Sequence, residues 1–137
     1  MTYAERKNLV EDFADKVKGA FPQTDQYNVL IFGSFLTNRY SVNSDIDIGV
    51  FSLSPSLTFG LYSFIKDYFD DLGMDNDVIR MRLSELQIIN LSIIVGQQYA
   101  VTGYCPEQLI AYTRRMIEIY GDNPQETVVK RMREEAV

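Results

Sequence analysis

Six consecutive residues, Tyr27–Phe32 (Tyr-Asn-Val-Leu-Ile-Phe), constrain this chain more than any other feature. A compact apolar run of this length, with Pro22 upstream and Gly33-Ser34 directly after it, reads as a buried strand. Such a strand needs neighbours in a sheet and cover on the sheet, and the flanking sequence provides both. Thr2 and Glu5 have capping-box spacing, and Leu9, Val10, Phe13, Val17 and Phe21 form an apolar stripe at helical period. Together they predict a helix from about Thr2 to Phe21. Downstream, Ile46, Ile48 and Val50 alternate with Asp45, Asp47 and Gly49, which predicts a second strand over Asp45–Phe51.

The rest of the chain continues the interleaving. Ser52–Ser56 reads as a turn. A helix follows to about Leu72, with Leu57, Leu61, Phe64, Ile65, Tyr68 and Leu72 on one face and Gly73 placed as its cap. Asp77–Leu83 reads as a third strand. Ser84 and Gln87 open a helix that runs to about Val95, and Gln97–Tyr104 holds a short fourth strand. Pro106 fits the first turn of a helix to about Tyr120, and Asn123, Pro124 and Glu126 mark a short last helix. The expected class is α/β (α+β), a small sheet with helices on at least one face. Periodicity does not decide which strand pairs are parallel. The 137 residues fit one domain, 1–137.

Composition narrows the chemistry. The chain has no histidine and one cysteine, Cys105. Ser-His-Asp triads, Cys-His pairs, histidine-held zinc and internal disulfides are therefore excluded. Catalysis has to rest on carboxylates, hydroxyls, lysines, arginines or a hard metal ion. The net charge of −6 and the lack of a basic stripe do not point to nucleic acid. No run approaches a membrane span, and Met1–Lys7 lacks the order of a signal peptide, so the expected location is the cytoplasm. There is no Gly-x-x-x-x-Gly-Lys-Ser/Thr loop and no Gly-x-Gly-x-x-Gly turn.

Two segments together make a candidate site. Gly33 and Ser34 end the first strand, where a residue without Cβ lets a phosphate approach the backbone and Ser34 adds a hydroxyl. A helix starting there would add free N–H groups. Asp45 and Asp47, two apart on a strand, leave the same face. Their mutual repulsion calls for a cation, and magnesium suits carboxylates that share it with substrate phosphates. Two such ions would hold both the attacking and the leaving oxygen of an in-line displacement. Asp77 is the leading third carboxylate, a metal ligand and proton acceptor, with Asp75 as the alternative. Arg39 reads equally as a phosphate contact or a surface charge. Taken singly, an Asp-x-Asp is usually a solvated strand face and a Gly-Ser only a turn. Arg80, Arg82 and the pair Asp70-Asp71 read as solvated charge.

Gly33-Ser34, nine residues, then Ser44-Asp45-Ile46-Asp47-Ile48 resembles the signature of the DNA polymerase β-type nucleotidyltransferase superfamily, in particular its minimal nucleotidyltransferases. The resemblance implies a small mixed sheet flanked by helices, Mg²⁺, and ATP or another nucleoside triphosphate as donor. It implies Asp45, Asp47 and Asp77 as metal and catalytic residues, and Gly33, Ser34, Arg39 and Ser44 at the nucleotide. Asn38 stands where that family often has glycine, and Phe35 and Leu36 where small or basic residues are common. Asn38 is the residue next most tolerant of left-handed backbone. Small members occur beside an all-helical HEPN protein in pairs resembling toxin–antitoxin modules, so the implied partner is such a protein. The implied reaction is transfer of AMP to its hydroxyl. Too little sequence follows the third strand to wall in a small acceptor, which also points to a macromolecule. The competing readings are a binding module that keeps the carboxylates, a transferase for a small molecule, and a phosphate-binding regulatory domain. Self-association is left open.

Overall fold

The computed structural model describes residues 1–82, 88–102 and 107–120, and it orders the expected elements as the sequence does. Helix α1 spans Tyr3–Ala20. Its capping box is present: the Thr2 hydroxyl accepts from the Glu5 N–H at 3.1 Å, and the Glu5 carboxylate accepts from the Thr2 N–H at 3.1 Å. Strand β1 is Tyr27–Phe32 and β2 is Ile46–Ser52. Helix α2, Pro55–Asp71, starts earlier than expected because Ser54 caps it, its hydroxyl accepting from the Leu57 N–H. Gly73 at φ 68° closes α2 with the two bonds of a Schellman motif, Gly73 N–H to Asp70 C=O and Met74 N–H to Phe69 C=O, each 3.0 Å. Strand β3 is Asn76–Arg80, α3 is Ile88–Val95, β4 is Tyr99–Ala100 and α4 is Glu107–Tyr120. The Ser84–Gln87 box, Cys105, Pro106 and the last short helix expected at Asn123–Glu126 lie outside the described residues.

Among the described residues the sheet runs β3-β2-β1-β4. Strand β1 lies antiparallel to both β2 and β4, while β3 is parallel to β2. The sheet is therefore mixed, and α2 forms the crossover that a parallel pair requires. Among the described residues the fourth strand covers Tyr99–Ala100 of the expected Gln97–Tyr104, whose last two residues lie outside those described. It pairs only Tyr99 and Ala100 with Ile31 and Leu30.

Alternation along the strands makes two unlike faces. Tyr27, Val29 and Ile31 of β1 and Ile46, Ile48 and Val50 of β2 point to one side, where α1 and α2 close over them. Phe13 sits at the centre of that core, its ring 4.9 Å from Phe69 and 5.4 Å from Tyr68. On the other side Leu30, Phe51 and Met81 meet Ile93 of α3. A Cβ on Gly49 would stand 2.6 Å from Ile93 Cγ2, so the glycine sets how closely α3 lies on the sheet. Helix α4 packs on α3, with Asn90 Nδ2 of α3 donating to the Tyr112 hydroxyl at 3.2 Å. No helix among the described residues is long and apolar enough to cross a membrane.

Candidate active site

Asp47 lies on the α3 side of the sheet, beyond the part that α3 covers. In register it stands between Phe32 of β1 and Asp77 of β3. Asp45 is the residue before β2 and shares that face by the two-residue period. Asp45 and Asp77 are exposed, whereas Asp47 is half-buried. Burial first, then the charge of Asp77, then that of Asp45, holds the Asp47 carboxyl above the ordinary carboxylate range. Three carboxylates thus lie at the adjacent starts of two strands, β2 and β3, and the charges of Asp77 and Asp45 both act on Asp47. Asp75, the alternative third acid, lies before β3, and its C=O accepts from the Ile46 N–H at 3.1 Å. The register sets Asp77 opposite Asp47.

Gly33 meets this cluster from β1. Its φ of 82° is left-handed, and an added Cβ would collide with the Asp47 carboxylate. A side chain is excluded here on both counts. The first strand therefore ends where its backbone leaves room for the second strand's acid.

No helix follows Gly33; residues 33–39 form turns. The contribution expected from a helix N-terminus is accordingly absent from this turn. Polar contacts fix the loop instead. Ser34 C=O accepts from the Thr37 N–H at 3.0 Å and from the Thr37 hydroxyl at 2.8 Å. Gln98, just ahead of β4, donates from Nε2 to the Gly33 C=O and accepts at Oε1 from the Leu36 N–H at 3.1 Å. Arg6 of α1, 93% buried, donates from Nη1 to the Phe35 C=O and, at 3.2 Å, to the Thr37 C=O. Its guanidinium lies 4.4 Å from the Tyr40 ring centroid. Neither residue was singled out from the sequence. Arg6 had a readable signal, because it falls on the α1 stripe with Val10, Phe13 and Val17. Gln98 had none.

The remaining expected residues fall nearby with different roles open to them. Ser44 Oγ accepts from the Ser41 N–H at 3.1 Å and lies 3.2 Å from Ser41 Oγ, so it is engaged in its own turn. Arg39 is exposed and makes no ion pair among the described residues. Two charges read as merely solvated have partners. The Arg80 guanidinium stands 5.4 Å from the Tyr62 ring centroid, and Asp70 accepts from Asn76 Nδ2 at 2.8 Å and pairs with Lys66 at 3.8 Å.

The family described as nucleotidyltransferase domain matches residues 7–96, about two-thirds of the chain. The chain belongs to the nucleotidyltransferase domain family. No curated protein sequence matches it at a significant level. Solved structures share the fold of this nucleotidyltransferase. The crystal structure of a mutant toxin-antitoxin MntA-HpeT aligns with TM-score 0.56 at 16% identity, over 92% of this chain and 95% of that one. A toxin-antitoxin crystal structure with AMP-PNP aligns with TM-score 0.54 at 18% identity, over 92% and 95%. A tri-AMPylated Shewanella oneidensis HEPN toxin in complex with MNT antitoxin aligns with TM-score 0.51 at 17% identity, over 94% and 95%. The nucleotidyltransferase absorbs its unusual loop residues into its core: Phe35 is 1% exposed and packs edge-on against Tyr40, and Leu36 is partly buried. Asn38 does not use the left-handed backbone expected of it, since no non-glycine residue among those described has positive φ.

Among the described residues no three acidic side chains are gathered closely enough to cage an ion by themselves. The donor set nevertheless suits magnesium. That ion takes one or two carboxylates, keeps several waters and draws its other oxygens from substrate phosphates. A bound cation would favour the ionised form of Asp47, which burial and the charges of Asp77 and Asp45 disfavour.

Proposed function

We propose that this nucleotidyltransferase moves AMP from ATP to a hydroxyl of a small helical partner protein. One observation carries the reading. The left-handed Gly33 turn abuts the Asp47 carboxylate, and Asp77 lies in register beside it. A phosphate seated on the turn would therefore lie next to the acids. Asp45, Asp47 and Asp77 would hold Mg²⁺, whose chemistry is to neutralise charge on the triphosphate oxygens. Gly33 and Ser34 receive the triphosphate, with Arg39 free to reach it from the loop. Asp77, exposed, takes the proton of the incoming hydroxyl. The acceptor oxygen bonds to the α-phosphorus, the bond to the bridging oxygen breaks, and pyrophosphate leaves.

The acceptor assignment draws on the fold relatives, one with AMP-PNP and one an AMPylated HEPN toxin with its antitoxin. The net charge of −6 also favours a protein over a nucleic acid. A binding module that only grips its partner is the second reading, favoured by the looseness of the acid cluster. Mass spectrometry of a co-expressed helical partner after incubation with ATP and Mg²⁺ separates the two. AMP should appear on the partner and vanish with Asp47→Asn. An unmodified but bound partner would support the second reading, and rapid nucleotidylation of a small alcohol instead would overturn the protein acceptor.

A further inference from the structure

The two side chains that grip the Gly33–Thr37 turn come from opposite ends of the fold, and both lie just outside the segment that matches the family, residues 7–96. In a trans peptide the C=O and the following N–H point in opposite directions. Fixing a carbonyl therefore aims the next amide. Gln98 Nε2 holds the Gly33 C=O, which turns the Ser34 N–H away from Gln98. The Thr37 N–H and hydroxyl hold the Ser34 C=O, which likewise turns the Phe35 N–H away from Thr37. The next plane is gripped on both edges, its Phe35 C=O by Arg6 and its Leu36 N–H by Gln98 Oε1. Arg6 is itself locked by burial and by the Tyr40 ring.

We propose that Arg6 and Gln98 are positioning residues for nucleotide transfer: they fix the peptide planes on either side of the one that Thr37 holds, so that the amides of Ser34 and Phe35 face the triphosphate before it arrives. This rests on the nucleotidyl-transfer reading above. Amides oriented in advance need not reorganise when the anion binds, and the lack of a helix after Gly33 makes that orientation the loop's main source of aimed N–H groups. The triphosphate is charged before and during the reaction, so the loss on disrupting the grip falls on KM rather than kcat.

The nucleotide is tested on the parent protein first. Adding MgATP should move the Ser34 and Phe35 amide resonances and leave Leu36 and Thr37, already committed, nearly unmoved. A parent that binds no MgATP sinks the transfer reading itself, and this proposal with it, before any variant is made. Gln98→Met keeps length and burial but removes both bonds, and Gln98→Glu keeps the acceptor for Leu36 while removing the donor to Gly33. With the thermal midpoint held, both should raise KM for ATP by about three- to tenfold, the worth of one or two ordinary hydrogen bonds, with kcat within about twofold of the parent. Arg6→Lys, which keeps the charge but not the planar fork, should act in the same direction. A parental KM in folded Gln98→Met and Gln98→Glu would overturn the proposal. So would a fall in kcat and thermal midpoint together, because that is the mark of a purely structural residue.

Discussion

The two faces of the sheet are made from the same strands and have opposite fates. Toward α1 and α2, Val29, Ile31, Ile46, Ile48 and Val50 are fully buried. Toward α3, the alternate residues run from Phe51 and Gly49, which are covered, to Asp47 and Asp45, which are not. One face stabilises the protein along its whole length. The other is stabilised only under α3, and its uncovered end carries Asp47 with the charges of Asp77 and Asp45 set against it. Burial and exposed charge are divided here by a displacement of one residue along β2, which is all that a two-residue period requires.

The largest effect that tests this division is on rate. Asp45→Asn or Asp47→Asn should lower transfer by several kcal/mol of barrier, roughly a thousandfold. The thermal midpoint measured without metal should hold or rise, because a repulsion is removed. A clear fall in that midpoint would mean the open face stabilises the fold after all. Phe13→Ala on the closed face should do the reverse. It should destabilise by about 3–5 kcal/mol in denaturant titrations, with the folded fraction keeping its activity. Gly49→Ala probes the border between the two regions. Its methyl must displace Ile93, so stability should fall by about 1–3 kcal/mol and α3 should shift. Unchanged stability would show that α3 is not seated as closely as the described contact requires.

The smallest effect is on pH dependence. The folded protein holds the Asp47 proton more tightly than an unfolded chain does, where the ordinary value is 3.8. This group's contribution to stability is therefore fully present below that value and lost as pH rises through the higher folded one. In metal-free denaturant titrations, Asp47→Asn should be more stable than the parent near neutrality, and the gap should close as pH falls toward 3.8. A gap that widens on acidification would mean that the neighbouring acids stabilise the Asp47 charge.

Much of this arrangement was legible in the residues. Alternation alone places Asp45 and Asp47 on one face, and the break at Gly33-Ser34 marks the end of β1. Capping residues located α1 and the end of α2, because caps are local chemistry. What stayed hidden depends on distant parts of the chain. Strand direction and the pairing of Asp47 with Asp77 come from tertiary packing. So does the room that Gly33 makes for a carboxylate fourteen positions later. Gln98 resembles any surface glutamine until the backbone atoms it binds are brought beside it. The loop after Gly33 turns instead of coiling into a helix, with Phe35 drawn into the core.

The grip on the Gly33 turn spans 29 residues to Arg6 and 65 to Gln98. During synthesis the aspartate strand leaves the ribosome well before residue 98 does. A nascent chain halted in that interval would carry the paired acids beside a turn still missing one of its two outside holds. Competence for nucleotide should consequently arrive late and abruptly, with the emergence of β4. Ribosome-stalled chains of increasing length would show it as a step in ATP retention rather than a gradual rise.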